Sequence, residues 1–578
     1  MIRLLKKYFR SYRTSLILTI LLTLFQVVFQ LLLPQFTDNI LKNGVAVNDM
    51  GYIYRMGAVM LVMTILVGLC MLGVSYFSSV FAGRFTSSCR NDMFHKVCYS
   101  SQTQFGKYGA STLSNRFTND LPFLALSIMM LMRNALSTPL IGAGAIIIIF
   151  TMNVPLSLVL IAGFVVCIIY LIFAMKKTQP MFNRGIIALD RLNLLSKEKL
   201  TGVRTIRAFN RQEYERARAD ETIDQVYSLD LRSYNSVSKI ITLIQLVMNI
   251  ILVFVFFMSS GYVRQGIMQA SDLVKYVQYI VNFIASVSSI SNIIQWIPRS
   301  QLCAGRILEI VDQDVSEEEN EQDQAHFIDS RKGEVVFDHV TYGYEGANMN
   351  VLNDLSFRIS PGETAAFIGT TGSGKTTLIS LIMGLYKDYA GSVSVNGCEN
   401  KGTSRKSLSS VISYAPQKSR VLQKSIIDNL KLSDEAITDQ EAEAALSMAC
   451  IDDLVNEKDE KLNFKLDQGG MNVSGGQRQR LSLARAVAKD ADIYIFDDSF
   501  SALDAKTEVS ARTGILRYLK DHGKTSILVS QRIKTIMDAD RIYLIDNGRI
   551  VGEGTHRQLL EQNALYREIY QTQFNVAV

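Results

Sequence analysis

Gly369-Thr370-Thr371-Gly372-Ser373-Gly374-Lys375-Thr376-Thr377 lies between the apolar run Thr364-Ala365-Ala366-Phe367-Ile368 and a second one, Leu378-Ile379-Ser380-Leu381-Ile382. A short buried strand, a glycine-rich loop and a helix in that order predict a P-loop. The glycines let main-chain N–H groups curl around a row of phosphates, with a helix N-terminus behind them. Lys375 is placed to reach the β- and γ-phosphates, and the Thr376 hydroxyl to ligate Mg²⁺. Further on, Ile493-Tyr494-Ile495-Phe496-Asp497 predicts a second buried strand ending in a carboxylate, the usual magnesium-holding partner of such a loop. Together these runs predict an α/β P-loop nucleotide-binding domain, an ATPase or a GTPase. The flanking strand and helix set the match apart from a chance glycine pattern.

The domain around this loop cannot be the whole molecule, because 578 residues exceed a single core. Hydrophobic residues make up 48% of the chain and charged ones 20%, and the apolar share is concentrated in the first half. About 20 apolar residues span the hydrocarbon of a bilayer. Six such segments are present, at 15–33, 56–82, 124–150, 156–175, 240–260 and 273–297. Pro34 is expected to close the first. The interruption at Thr151-Met152-Asn153-Val154-Pro155 leaves room only for a tight hairpin, so the third and fourth segments should be antiparallel neighbours. The connections 83–120 and 176–239 lack clusters of Pro and Gly and are expected to be helices that run on past the membrane.

Basic residues set the expected orientation. Arg84, Arg90, Lys96, Lys107, Arg116, Lys176, Lys177, Arg204, Arg207 and Arg211 fall on the side of the N-terminus, whereas 37–50 and 261–272 contain only Lys42 and Arg264. Both termini and the nucleotide-binding domain are therefore expected in the cytoplasm, with the chain multi-pass in the plasma (inner) membrane. A net charge of +6 is small for this length and needs no nucleic-acid partner. Cysteines at 70, 89, 98, 167, 303, 398 and 450 are dispersed, as free thiols in a reducing compartment would be. The expected organisation is a six-helix all-α transmembrane domain over 1–312, an acidic linker over 313–332 containing SEEENEQDQ (316–324), and the nucleotide-binding domain over 333–578.

What separates this P-loop chain from others is Val473-Ser474-Gly475-Gly476-Gln477, followed by Arg478-Gln479-Arg480 and a helical run over 481–488. With it, the chain resembles ABC transporters of the exporter type over essentially its whole length: six spans fused ahead of one nucleotide-binding domain with a helical subdomain. The resemblance implies ATP and Mg²⁺ as cofactors and a lipid bilayer as surroundings. It also implies that Tyr344 stacks on adenine, and that Gln417, with Thr376 and Asp497, faces the magnesium. Ser474, Gly475, Gly476 and Gln477 form the signature that completes the site of a second, homologous half-transporter, and Asp504 closes the D-loop Ser501-Ala502-Leu503-Asp504. The stretches 113–120 and 202–209 resemble the two intracellular loops of such exporters. Singly, Tyr344 or Gln417 would read as an ordinary loop residue; their fixed order relative to the other motifs carries the reading.

The departures from that family are as informative. Asp498 stands where the family places a glutamate acting on the attacking water, and Gln531 where it places a switch histidine. Gln468 replaces a third, less central glutamate. The phosphate-binding residues Gly369 to Thr377 are all kept. The resemblance is thus to the degenerate-site subunit of heterodimeric, often multidrug, exporters. It implies a partner carrying the glutamate and histidine that this chain lacks, and a hydrophobic or amphipathic substrate. An importer with the same fold, of siderophore-like cargo, and a nucleotide-gated regulator that does not transport are the alternatives. Substrate-stimulated ATPase and the direction of flux in vesicles would separate them.

Overall fold

The computed structural model describes residues 2–8, 13–266, 268–313, 327–347 and 349–574, and the acidic run 316–324 lies outside them. The chain divides into two compact units, Met1–Lys96 with Ala110–Gln313 and Val97–Gly109 with Asp314–Val578. In the first, six helical spans among the described residues are long and apolar enough to cross a membrane: Arg13–Val45, Met50–Cys98, Ala110–Met152, Val154–Ala208, Gln212–Arg264 and Ala270–Ile290. They leave side chains such as Phe173 and Phe257 more than 70% exposed, a surface that suits lipid and not water.

Three of these helices are far longer than a bilayer requires. Met50–Cys98, Val154–Ala208 and Gln212–Arg264 run for 49, 55 and 53 residues. A 55-residue helix is about 80 Å long, against ~30 Å of hydrocarbon. The connections 83–120 and 176–239 are accordingly mostly helix, as expected. The break between the third and fourth spans is a single extended residue, Asn153, with φ −158° and ψ 109°. Its side chain accepts from the Leu156 N–H at 3.2 Å and so caps the helix that follows.

One expectation fails, at a proline. Pro34 does not close the first span: the helix Arg13–Ile40 runs through it and ends in a π-turn, Leu41–Val45. Ending a helix in apolar surroundings would strand several main-chain groups, whereas an internal proline strands one. The third span, expected at 124–150, is present but carries a break. It is split into Leu121–Asn134 and Ser137–Met152, with turn residues at 135 and 136. The split places Pro139 in the first turn of the second piece, where its missing N–H has no partner to lose.

The helix Ala270–Val311 is held at both ends by ion pairs. Near its start Lys275 lies 2.8 Å from Asp38, and Lys42 bridges Asp38 at 3.1 Å and Asp272 at 2.5 Å. Near its end Arg116 meets Glu309 at 2.8 Å and Arg306 meets Asp190 at 3.1 Å. Asp38 is only 3% exposed, a burial that a carboxylate tolerates when paired.

The second unit is built on two sheets. Strands β1 (Val335–Tyr342), β2 (Leu352–Ile359), β4 (Ala390–Val395) and β5 (Cys398–Glu399) form an antiparallel sheet in the order β2-β1-β4-β5. Strands β3 (Thr364–Ile368), β6 (Ile412–Ala415), β7 (Ile493–Asp497), β8 (Thr525–Val529), β9 (Arg541–Asp546) and β10 (Arg549–Gly554) form the other, in the order β10-β9-β3-β8-β7-β6. Its pairings are parallel except for the β9–β10 hairpin. Every residue of β3, β7 and β8 is buried, which is why these strands read as unbroken apolar runs. Because β3, β8 and β7 are neighbours, the loops leaving their C-terminal ends meet at one place. Ligands of open α/β sheets bind at such ends.

Candidate functional site

The P-loop leaves β3 at Gly369 and enters the helix Lys375–Ile382 through Gly374, whose φ of 104° disfavours any side chain. A Cβ on Gly369 would overlap the Ile545 carbonyl. Both glycines are thus demanded by the backbone path. Lys375 folds back over the loop, donating to the Gly369 carbonyl at 2.8 Å, the Thr370 carbonyl at 2.7 Å and Ser373 Oγ at 3.1 Å. Burial pushes its ammonium below the usual lysine range, and the carboxylates of Asp497 and Asp498 oppose that only in part. The loop therefore presents a desolvated cation that gains from a polyanion.

Asp497 ends β7 and is 3% exposed. Burial raises its pKa, the charge of Asp498 adds to the effect, and hydrogen bonds from Tyr414 and Thr376 work against it. A buried carboxylate beside a threonine hydroxyl makes an oxygen pair suited to a hard divalent cation. Among the described residues no group of three or more His, Cys, Asp or Glu could hold a metal, so a cation here would take its remaining ligands from phosphates and water.

Asp498 follows with φ 45°, unusual for a residue other than glycine. Its N–H donates to the Val529 carbonyl at 2.8 Å, and Ser530 Oγ donates to its Oδ1 at 3.4 Å. The carboxylate is thereby held at the strand end beside the loop that carries Gln531.

These groups line one cavity of about 320 Å³, which contains Tyr344, Thr371, Gly372, Gly374, Lys375, Thr376, Thr377, Gln417, Asp497, Asp498 and Gln531. Tyr344 reaches it from the loop after β1, sharing a 2.9 Å hydrogen bond with Thr377 Oγ1. Tyr344 also packs edge-on against Tyr342 and Tyr386 at 5.2 and 5.6 Å, and it stays 40% exposed. Val351, Val529 and Ser530 complete the lining. None was singled out from the sequence: the two valines have no chemistry to mark them, and Ser530 matters through a contact with a residue 32 positions away.

Ser474, Gly475, Gly476, Gln477 and Asp504 do not line this cavity. Ser474 caps the helix Gly475–Ala488: its Oγ accepts from the Gln477 N–H at 3.2 Å, and Gln477 Oε1 accepts from the Ser474 N–H at 2.8 Å. As an acceptor in that box, Ser474 keeps its hydroxyl proton free to donate. Nothing lies within 4 Å of a Cβ built on Gly476. Asp504 caps the helix Ala505–Asp521 through the Thr507 N–H at 3.1 Å, and hydrogen bonding from the Thr507 side chain first, then from that N–H, holds its carboxyl below the usual range.

Residues 15–287 match the family described as ABC transporter transmembrane region, and 352–501 the family described as ABC transporter. An uncharacterized ABC transporter ATP-binding protein of Mycobacterium tuberculosis is 32% identical over 99% of this chain and 98% of its own length. The chain belongs to the ABC transporter family. A multidrug resistance ABC transporter ATP-binding and permease protein of Lactococcus lactis is 25% identical, over 92% of this chain and 89% of its own. The structure of a bacterial Atm1-family ABC exporter with ATP bound superposes with a TM-score of 0.82 at 19% identity, covering 98% of this chain and 99% of that one. The ABC chain is thus a half-transporter of exporter-type fold, a transmembrane unit fused to an ATPase domain that binds ATP and couples its hydrolysis to transport. As a half, it functions with a second ABC half.

Proposed function

We propose that this half-transporter is the weak-site subunit of a heterodimeric exporter of amphipathic small molecules. The observation that carries the reading is the lining of one cavity by Lys375, Asp498 and Gln531: the phosphate cradle is complete, and both positions that would act on the attacking water are altered. Aspartate is one methylene shorter than glutamate, and Asp498 is also tethered to Ser530 at 3.4 Å. A misplacement of about 1 Å can slow a reaction on the order of a hundredfold. Gln531 can donate to a phosphate oxygen but cannot become a cation as imidazole can.

In this reading the P-loop N–H groups and Lys375 hold the phosphates, Thr376, Asp497 and Gln417 face Mg²⁺, and Tyr344 offers its exposed ring to adenine. The cation, when bound, would neutralise the β- and γ-phosphates. Ser474, Gly475, Gly476 and Gln477 serve the partner's nucleotide, with Asp504 beside them. The open space at Gly476 supports this, since glycine in a helix is destabilising by roughly 0.5–1 kcal/mol and nothing within 4 Å in this chain requires it. The partner carries the glutamate and histidine missing here. Both termini and the ATPase domain lie in the cytoplasm, and the domains divide near 312 and 333. The Lactococcus relative's description as multidrug resistance supports the substrate class.

Purified by itself, the chain should turn over ATP at least tenfold more slowly than when co-purified with its partner half. Brisk ATPase from a homodimer would overturn the reading. Nucleotide affinity should also depend on pH through Lys375. Its folded pKa lies below the ordinary lysine value, so the ammonium that attracts phosphate is fully present below that lowered pKa and lost as pH rises through it. ATP titrations of the wild type should weaken as pH rises, before the ordinary lysine value of about 10.4 is reached, and those of Lys375→Arg, whose charge persists, should not.

A further inference from the structure

The loop bearing Gln531 is gripped from behind by the last turn of the helix Ala564–Phe574. Gln573 spends its whole carboxamide on that loop. Its Nε2 donates to the Gln531 carbonyl at 2.6 Å, and its Oε1 accepts from the Ile533 N–H at 2.8 Å. Ile533 opens the short helix Ile533–Ile536, which has no side-chain cap of its own. One of the unpaired donors that every helix start leaves is thus satisfied from 40 residues away.

The grip is itself anchored. Tyr566 is fully buried and bonded to His556 Nδ1 at 2.8 Å. Tyr570 stacks on Phe574 at 4.5 Å, and Lys534 sits 5.4 Å from the Phe574 ring centre. From the opposite side, Glu508 accepts from Thr535 Oγ1 at 2.8 Å and pairs with Arg532 at 3.7 Å. The Gln531 main chain is therefore clamped while its exposed side chain faces the ATP cavity.

We propose that Gln573 is a positioning residue for the nucleotide site: it sets the main chain of the switch loop so that the Gln531 carboxamide meets the terminal phosphate of ATP. The inference rests on the reading that Gln531 faces that phosphate. ADP lacks the phosphate in question, so the clamp contributes to the preference for ATP over ADP and not to nucleotide binding in general. Gln573→Met keeps the length and removes both hydrogen bonds. Gln573→Glu keeps the acceptor for Ile533 and sets a carboxylate oxygen against the Gln531 carbonyl.

The test uses the full-length chain in detergent with its co-purified partner, photolabelled by 8-azido-ATP and competed with ATP and with ADP, the label on each chain being resolved by electrophoresis. Gln573→Met and Gln573→Glu should weaken ATP at this chain by about fivefold, a loss of roughly one hydrogen bond's worth, with ADP changed less than about twofold. Amide exchange at Ile533 should accelerate in Gln573→Met and stay slow in Gln573→Glu. An equal loss for ATP and ADP, or an unchanged ratio in both variants, overturns the proposal. Gln531→Ala run alongside separates the two failures. If it lowers the ratio and the Gln573 variants do not, the clamp alone is refuted; if it too leaves the ratio unchanged, the placement of Gln531 at the terminal phosphate is wrong.

Discussion

Gly476→Val in this chain is expected to reduce ATPase and transport by the assembled pair at least a hundredfold, although Gly476 lies outside this chain's own ATP cavity. Within the chain a Cβ at this position meets nothing within 4 Å, so folding should be intact and the loss is expected to come from what approaches that face. Ser474→Asp refines the point. Aspartate caps helices as well as serine does, so the helix Gly475–Ala488 keeps its start. The substitution nonetheless exchanges a hydroxyl donor for a negative charge on the face proposed to meet the partner's γ-phosphate. Loss of one donor to a developing negative charge is worth about 10²–10³ in rate, and repulsion adds to it. Asp498→Asn should cost less than about threefold, because its carboxylate is already short and held by Ser530. Turnover is measured on the purified pair with the three variants in parallel, with melting temperature as the folding control.

Lys375→Ala should produce the opposite division of effects. The lysine ammonium is the one side-chain cation lining the cavity among the described residues, and its three hydrogen bonds also hold Gly369, Thr370 and Ser373 in the loop. Its removal should weaken ATP at this chain on the order of a hundredfold, the scale of a lost charge-assisted contact to phosphate. ATPase by the pair should fall but persist, since the proposed function assigns hydrolysis to the partner's P-loop. Photolabelling of each chain and phosphate release, taken on the same preparation, measure the two effects separately. Complete loss of turnover in a folded, assembled pair would mean that this site hydrolyses as well.

The elements legible in the sequence share one property: each is contiguous. The P-loop, the strand ending at Asp497 and the run around Ser474 are short local patterns, and spans announce themselves by apolar length alone. A proline misled the reading where the surroundings, and not the residue, decided the outcome. Pro34 sits inside a helix because lipid penalises ending one, and the break at 135–136, which leaves Pro139 in a first turn, had no local signal. Contacts between distant residues left no trace in local pattern. Lys275 and Asp38 are 237 residues apart, Gln573 and Gln531 are 42 apart, and the Ser530 tether on Asp498 joins two strand ends. The residues on which the proposed weakness of the site rests are nevertheless legible in the sequence, since Asp498 and Gln531 occupy motif positions whose chemistry is set by residue type.

The central claim, that ATP is bound here and hydrolysed across the interface, is tested by identifying the nucleotide on each chain after turnover. The assembled pair is run in 8-azido-[α-³²P]ATP with Mg²⁺ until phosphate release is steady, then photolysed, and the label cleaved from each separated chain is resolved into di- and triphosphate. This chain should retain triphosphate while its partner carries diphosphate. Diphosphate on this chain in the same proportion as on its partner would contradict the account.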